Sequence, residues 1–204
     1  MFTGIVQTTA DVVSINKLHG LKQFGIAIKP EFCKNLISGA SVAVNGVCLT
    51  VTEQRDDKVF FDVMEETLRV TNLDVVDEGH QVNIERSLSF GDEIGGHIVS
   101  GHIHTQAKVV SVKNTDDHFN LTLEVAPTWM KYILYKGFIA VNGCSLTIGK
   151  VENNTFELYL IPETLKLTNL SEAGLGTFLN IEIDSQTQSI VDTVERVLKT
   201  KELI

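Results

Sequence analysis

Two short segments of this chain carry small hydroxyl and thiol side chains in matching patterns. In Val47-Cys48-Leu49-Thr50-Val51, strand alternation puts Val47, Leu49 and Val51 on one face and Cys48 and Thr50 on the other. In Cys144-Ser145-Leu146-Thr147-Ile148, Cys144, Leu146 and Ile148 are expected to face a core, with Ser145 and Thr147 turned away. Two solvated strand faces would look the same. A ligand held outside a barrel would use such short polar groups together with backbone N–H and C=O, and the appearance of the pattern twice favours that reading.

Three histidines, His97, His102 and His104, lie close together in sequence. A zinc site needs further ligands in tetrahedral geometry. His102 and His104 are expected on one strand face, but no nearby carboxylate or Cys completes a set, so no metal ligand is assigned. Glu85 and Glu182 are expected to be strand carboxylates in water or paired with Lys. Lys136 could hold an anion or the hydroxyls of a polyol. No P-loop, G-x-G-x-x-G fingerprint, G-x-S-x-G elbow or H-E-x-x-H is present.

These residues are positioned by a duplicated framework. A shift of 97 positions lays the chain over itself without a gap. Ala43-Val44-Asn45-Gly46 falls on Ala140-Val141-Asn142-Gly143, Glu66-Thr67-Leu68 on Glu163-Thr164-Leu165, and Thr71-Asn72-Leu73 on Thr168-Asn169-Leu170. A repeat of this length is a whole small domain, and two copies of one site suit a function that handles two similar molecules. The copies diverge at His102 (mate Ile5), Lys136 (mate Gly39) and Asp184 (mate Ser87). Divergence inside duplicated sites is what asymmetric chemistry requires.

Short runs rich in Val, Ile, Phe and Thr recur at 41–52, 58–64, 81–86, 138–148, 155–161 and 178–183. Asp56-Asp57 and Asn153-Asn154 stand between runs as hairpin turns. Many strands in so small a domain suggest a closed antiparallel barrel, because closure removes exposed edges. Short helices are expected at 30–36 and 127–134, each opening on Pro, and further ones near Glu65 and Pro162. The segment 91–96 is a Gly-rich linker. Ile190, Val191, Val194, Val197 and Leu198 follow helical spacing over about 186–202, with no repeat mate. That helix packs either on its own barrels or on copies of itself.

The 204 residues carry a net charge of −9 without a basic run, which disfavours nucleic acid and anionic membrane as partners. Cys33, Cys48 and Cys144 are an odd set without C-x-x-C spacing. With no signal-peptide pattern and no apolar run of about 18 residues, a cytoplasmic protein is expected.

Taken together, Met1-Phe2-Thr3-Gly4-Ile5-Val6, the Val-Asn-Gly-x-x-Leu-Thr segments at 44–50 and 141–147, Gly95-Gly96-His97 with Ser100-Gly101-His102, and Ile161-Pro162-Glu163-Thr164-Leu165 resemble riboflavin synthase of the alpha-chain type, over essentially the whole chain. The resemblance implies an all-β fold of two tandem six-stranded antiparallel barrels, 1–97 and 98–185, and a C-terminal helix, 186–204, that joins three chains. It implies dismutation of two 6,7-dimethyl-8-ribityllumazine molecules by four-carbon transfer, giving riboflavin and 5-amino-6-(D-ribitylamino)uracil, with no metal or redox cofactor. It leaves association with lumazine synthase open.

Carried over position by position, the binding groups in the first barrel would be Gly4, Ile5, Val6, Cys48, Leu49, Thr50, Asp62, Val63, Met64, Glu65, Glu66 and Thr67. In the second they would be Gly101, His102, Ile103, Lys136, Ser145, Leu146, Thr147, Leu160, Ile161, Pro162, Glu163, Thr164 and Leu165. One site would lie between the first barrel of one chain and the second barrel of its neighbour. Catalytic candidates are Ser145, Asp184, His102, Thr147 and Cys48, with Ser145 and Asp184 as a hydrogen-bonded pair and His102 or Thr147 relaying protons. Asn142 stands where some relatives are expected to carry Asp, so a carboxylate base is not available there; a turn role is the alternative. The competing class is a lumazine- or flavin-binding fluorescent antenna without catalysis.

Overall fold

The computed structural model describes residues 1–115 and 119–201. The repeats form two closed six-stranded barrels. The first contains β1 (Thr8–Leu18), β2 (Leu21–Ala27), β3 (Ser41–Val44), β4 (Val47–Arg55), β5 (Lys58–Met64) and β6 (Gln81–Arg86), ordered β1-β2-β5-β4-β3-β6. The second contains β7 (Thr105–Asn114), β8 (Phe119–Glu124), β9 (Phe138–Val141), β10 (Cys144–Glu152), β11 (Thr155–Leu160) and β12 (Phe178–Ile183), in the same cyclic order. Every strand pair is antiparallel, and each barrel encloses its own apolar core.

Turn chemistry sets the register. Asn45-Gly46 and Asn142-Gly143 close two-residue hairpins with φ of 46° and 79°, and 46° and 81°, the left-handed pair that a type I′ turn demands. That fixes Val44 opposite Val47 and Val141 opposite Cys144. Val47, Leu49 and Val51 face the first core as expected, and Cys144 and Ile148 the second; Leu146 is only partly buried. Asp56 and Asn153 sit at the two other hairpins with φ of 54° and 52°.

Helices form at α1 (Pro30–Cys33), α2 (Glu65–Val70) and α3 (Pro162–Leu167). Two are tighter than the sequence suggests. α1 stops at Cys33, because Asn35 turns left-handed at φ 59°. The 127–134 segment is a 3₁₀ helix, Pro127–Tyr132, whose N–H groups reach back three residues, as Trp129 does to Ala126. The terminal helix α4 (Ser185–Thr200) begins one residue earlier than expected, and positions 202–204 of its expected range lie outside the described residues. Val191 packs on the second core, and Tyr132 and Lys131 bond Asp192 and Glu195. Ile190, Val194 and Val197 stay 65, 51 and 44% exposed.

A buried asparagine network joins the barrels with two-fold symmetry. Asn180 Oδ1 accepts from the Asn72 N–H and Asn83 Oδ1 from that of Asn169, both at 2.7 Å. Asn83 Nδ2 donates to the Asn142 carbonyl at 2.9 Å and Asn180 Nδ2 to that of Asn45 at 3.0 Å. Asn142 is therefore a turn and interface residue, 2% exposed. Buried amides left unpaired are costly, so this network specifies one docking of the barrels.

Candidate active site

The chain before each barrel crosses to the other one. Phe2 and Val99 bridge antiparallel at the crossing point. Beyond it, the Ser145 N–H donates to the Gly4 carbonyl at 2.7 Å, and the Cys48 N–H to the Gly101 carbonyl at 2.9 Å. Val6 belongs to the second core, while Ile103 packs on the first. This corrects the expected grouping. Gly4, Ile5 and Val6 line the Ser145 side, and Gly101, His102 and Ile103 line the Cys48 side.

Two buried carboxylates hold these crossing segments. Glu85 accepts from the Thr3 N–H at 2.6 Å, the Thr3 hydroxyl at 2.8 Å and the Gly4 N–H at 3.1 Å. Glu182 repeats the pattern with Ser100 N–H, Ser100 Oγ and Gly101 N–H at 2.6, 2.7 and 2.9 Å. Neither is in water or paired with Lys, contrary to the sequence expectation; they are 4 and 5% exposed. Burial pushes the Glu85 pKa up, partly offset by its bonds to Thr3 and Gly4. The sequence signal was a hydroxyl residue before each crossing glycine, duplicated along with the carboxylate.

The second-barrel wall is the outer face of β9 and β10. Ser145 is half-buried, Thr147 is exposed, and Thr147 pairs with Phe138, which is 50% exposed. Tyr135, Ile161 and Ile5 are exposed at 66, 63 and 46%. Lys136 is held at φ 66° with its ammonium 5.4 Å from the Tyr135 ring centre. Pro162 and Glu163 are exposed, and Thr164 and Leu165 half-buried.

The first-barrel wall repeats this around half-buried Cys48 and exposed Thr50, with His102 exposed beside Gly101. Asp62, Met64, Glu65 and Glu66 are exposed and Thr67 is half-buried. Val6, Leu49, Val63 and Leu160 are buried in the cores and can offer a ligand only backbone atoms.

Two expected pairings are not seen. Asp184 is the N-cap of α4, accepting from the Thr187 N–H at 2.9 Å and the Thr187 hydroxyl at 2.7 Å, and makes no bond to Ser145. Ser145 Oγ instead lies 2.6 Å from His97 Nδ1. The histidines also separate. His104 Nδ1 accepts from the Ile183 N–H, which leaves Nε2 to donate to Gln188 at 3.0 Å, and residues 102–104 precede β7 and form no strand face. Among the described residues, no group of three His, Cys, Asp or Glu side chains comes together as metal ligands.

Thiol chemistry differs between the walls. Cys144, 7% exposed, has its pKa pushed up to about 12 by burial, with the Glu85 charge adding to it, so it stays a neutral core thiol. Cys48 is the thiol that meets the outer wall.

The lumazine-binding domain family matches residues 3–87 and 100–184. Riboflavin synthase of Escherichia coli K12 is 50% identical over 203 residues, covering 99% of this chain and 95% of that protein. Riboflavin synthase of Bacillus subtilis is 36% identical over 186 residues, covering 90 and 85%. The crystal structure of LumP complexed with riboflavin superposes with a TM-score of 0.85 at 25% identity, covering 91% of this chain and all of that one. With two matched repeats and this identity over nearly its full length, the chain belongs to the riboflavin synthase family, built from two lumazine-binding domains.

Proposed function

We propose that the chain is a transferase that dismutates two 6,7-dimethyl-8-ribityllumazine molecules, passing a four-carbon unit between them to give riboflavin and 5-amino-6-(D-ribitylamino)uracil. One observation carries this reading. Two walls of the same backbone geometry present different chemistry, a thiol at Cys48 and a histidine-bonded hydroxyl at Ser145. Two like substrates with unlike roles need that arrangement.

The C7 methyl of the lumazine is acidic, because its anion delocalises into the ring system. The donor molecule needs a nucleophile at C7 and the acceptor must lose a methyl proton. Holding two rings face to face supplies most of the rate through positioning. Ser145 and Thr147 serve the donor, while Cys48, Thr50 and His102 serve the other molecule. Lys136 takes ribityl hydroxyls. Asp184 acts as a nearby charge and a helix cap.

The assembly is a homotrimer through α4, whose exposed Ile190, Val194 and Val197 form a stripe that a copy would cover. One site then joins the first barrel of one chain to the second barrel of a neighbour. The three free cysteines fit a reducing cytoplasm. Purified protein mixed with the lumazine should produce flavin absorbance with time; ligand binding without any flavin formation would leave only the antenna reading.

A further inference from the structure

His97 lies ahead of the second barrel and packs against its wall. It is 7% exposed, and its ring stacks on Phe138 with centroids 5.1 Å apart and planes 19° from parallel. Its N–H donates to the Thr3 carbonyl at 3.1 Å. The Nδ1 atom lies 2.6 Å from Ser145 Oγ, while Nε2 is buried with no hydrogen-bond partner among the described residues. A buried ring nitrogen without a partner is costly. The backbone bond and the stack would hold the segment equally well with a phenylalanine there, so neither explains an imidazole.

We propose that His97 is the positioning residue of the Ser145 hydroxyl and the acceptor of its proton when Oγ adds to the lumazine. The inference rests on the functional reading above. In the step, a bond forms between Ser145 Oγ and C7 of the lumazine, the C7 π electrons pass into the ring system, and the Oγ proton moves to His97 Nδ1. When the O–C7 bond later breaks, Oγ takes the bonding pair and the imidazolium returns the proton.

The surroundings suit that traffic. Burial pushes the His97 pKa below its ordinary value, so the resting ring is neutral and Nδ1 is free to accept. The charges of Asp184 and Glu182 oppose this and favour the imidazolium that forms during the step. Asp184 thus contributes through space, without the Ser145 bond expected for it. Cys48, the repeat mate of Ser145, shows no such pairing: its N–H goes to the Gly101 carbonyl, and among the described residues no histidine hydrogen-bonds it.

The test combines kinetics with nitrogen shifts. His97→Asn keeps a hydrogen-bond acceptor near the Nδ1 position but cannot take a proton. It should lower kcat by about 100-fold or more, with riboflavin binding changed less than about threefold. The wild-type acid limb of kcat/KM, set below pH 6.5 by the depressed pKa, should vanish. Ser145→Ala with His97→Asn should be no slower than the worse single variant, because the two act as one unit. In ¹⁵N-histidine-labelled wild-type protein, Nδ1 of His97 should carry no proton. A kcat within about threefold of wild type, multiplicative losses, or a protonated Nδ1 would each overturn the proposal. Should His97→Asn not fold, the nitrogen shifts of the unaltered protein decide alone. Absence of flavin formation by the unaltered protein would sink the functional reading and leave the tautomer result standing.

Discussion

The Gly4 carbonyl accepts from the N–H of Ser145, 141 positions away in the other repeat, at 2.7 Å. Gly101 and Cys48 repeat the contact in reverse. Each candidate wall is therefore completed by backbone from the other repeat, and neither barrel holds its own full set.

The two glycines test this directly. Gly4 and Gly101 have φ of 73° and 82°, and a Cβ there would lie 2.6 Å from Ser145 Cβ and 2.5 Å from Cys48 Cβ. Gly4→Ala and Gly101→Ala should each cost about 2 kcal/mol or more through backbone strain and displacement of the wall. In ligand titrations, Gly4→Ala should damage the Ser145 side and Gly101→Ala the Cys48 side. If each variant disturbed only the barrel of its own repeat, the exchange of segments would be wrong.

Ser145→Ala should lose turnover far more than ligand affinity, because a group used mainly in the transition state lowers kcat with little change in KM. Cys48→Ala should be milder. Asp184→Ala removes the α4 cap as well as a charge and should cost about 1 kcal/mol of stability. Asp184→Asn keeps a capping oxygen and isolates the charge. Equal kinetic losses at Cys48 and Ser145 would contradict unequal walls.

Val194→Glu places a charge in the exposed stripe of α4 without touching the Lys131–Glu195 or Tyr132–Asp192 contacts that tie the helix to its own barrel. Sedimentation should show monomers with both barrels folded. A persisting trimer would show that α4 does not hold it.

Residues 1–97 contain all six strands of the first barrel, so this fragment should fold. Its Asn45, Asn72 and Asn83 would lack their partners Asn142, Asn169 and Asn180, and Cys48 would lack Gly101. Two fragments should therefore pair about the same two-fold axis, with Gly4 of each covering Cys48 of the other. The pair should bind lumazine but not turn it over at a useful rate, lacking Ser145, Asp184, His102 and Lys136. Sedimentation, fluorescence titration and absorbance on one sample check all three; a monomeric fragment that binds as tightly as the full chain would refute the exchange.

Folded His97 holds its proton more weakly than the unfolded chain does. Between its depressed pKa and about 6.5 the unfolded state binds more protons, so stability rises with pH through that window and falls on acidification. Glu85, whose pKa is raised, acts with the opposite sign, its contribution weakening as pH rises above the ordinary carboxylate range. Comparing wild type with His97→Asn isolates the histidine: the acid-side slope in denaturation midpoint should flatten in the variant.

The sequence by itself determined the duplication, the barrel class, the Asn-Gly hairpins and the inward faces of β4 and β10. These depend on local rules: side chains alternate along a strand, and few residues adopt a left-handed turn. It also marked Cys48, Thr50, Ser145 and Thr147, because a repeated polar pair outside a barrel is visible in a linear pattern. The tertiary structure alone decided which crossing segment meets which barrel, because repeat mates are interchangeable in the sequence and only packing breaks the tie. For the same reason Glu85 and Glu182 looked like strand carboxylates: their donors Thr3 and Ser100 lie 82 positions away. Asp184 and His97 show the limit most clearly. Both lie close to the second-barrel wall, but the hydrogen bond to Ser145 goes to the histidine, because the carboxylate is already committed to the first turn of α4. Hydrogen bonds between residues distant in sequence depend on direction and on distances of a few tenths of an ångström, and no spacing rule along the chain encodes them.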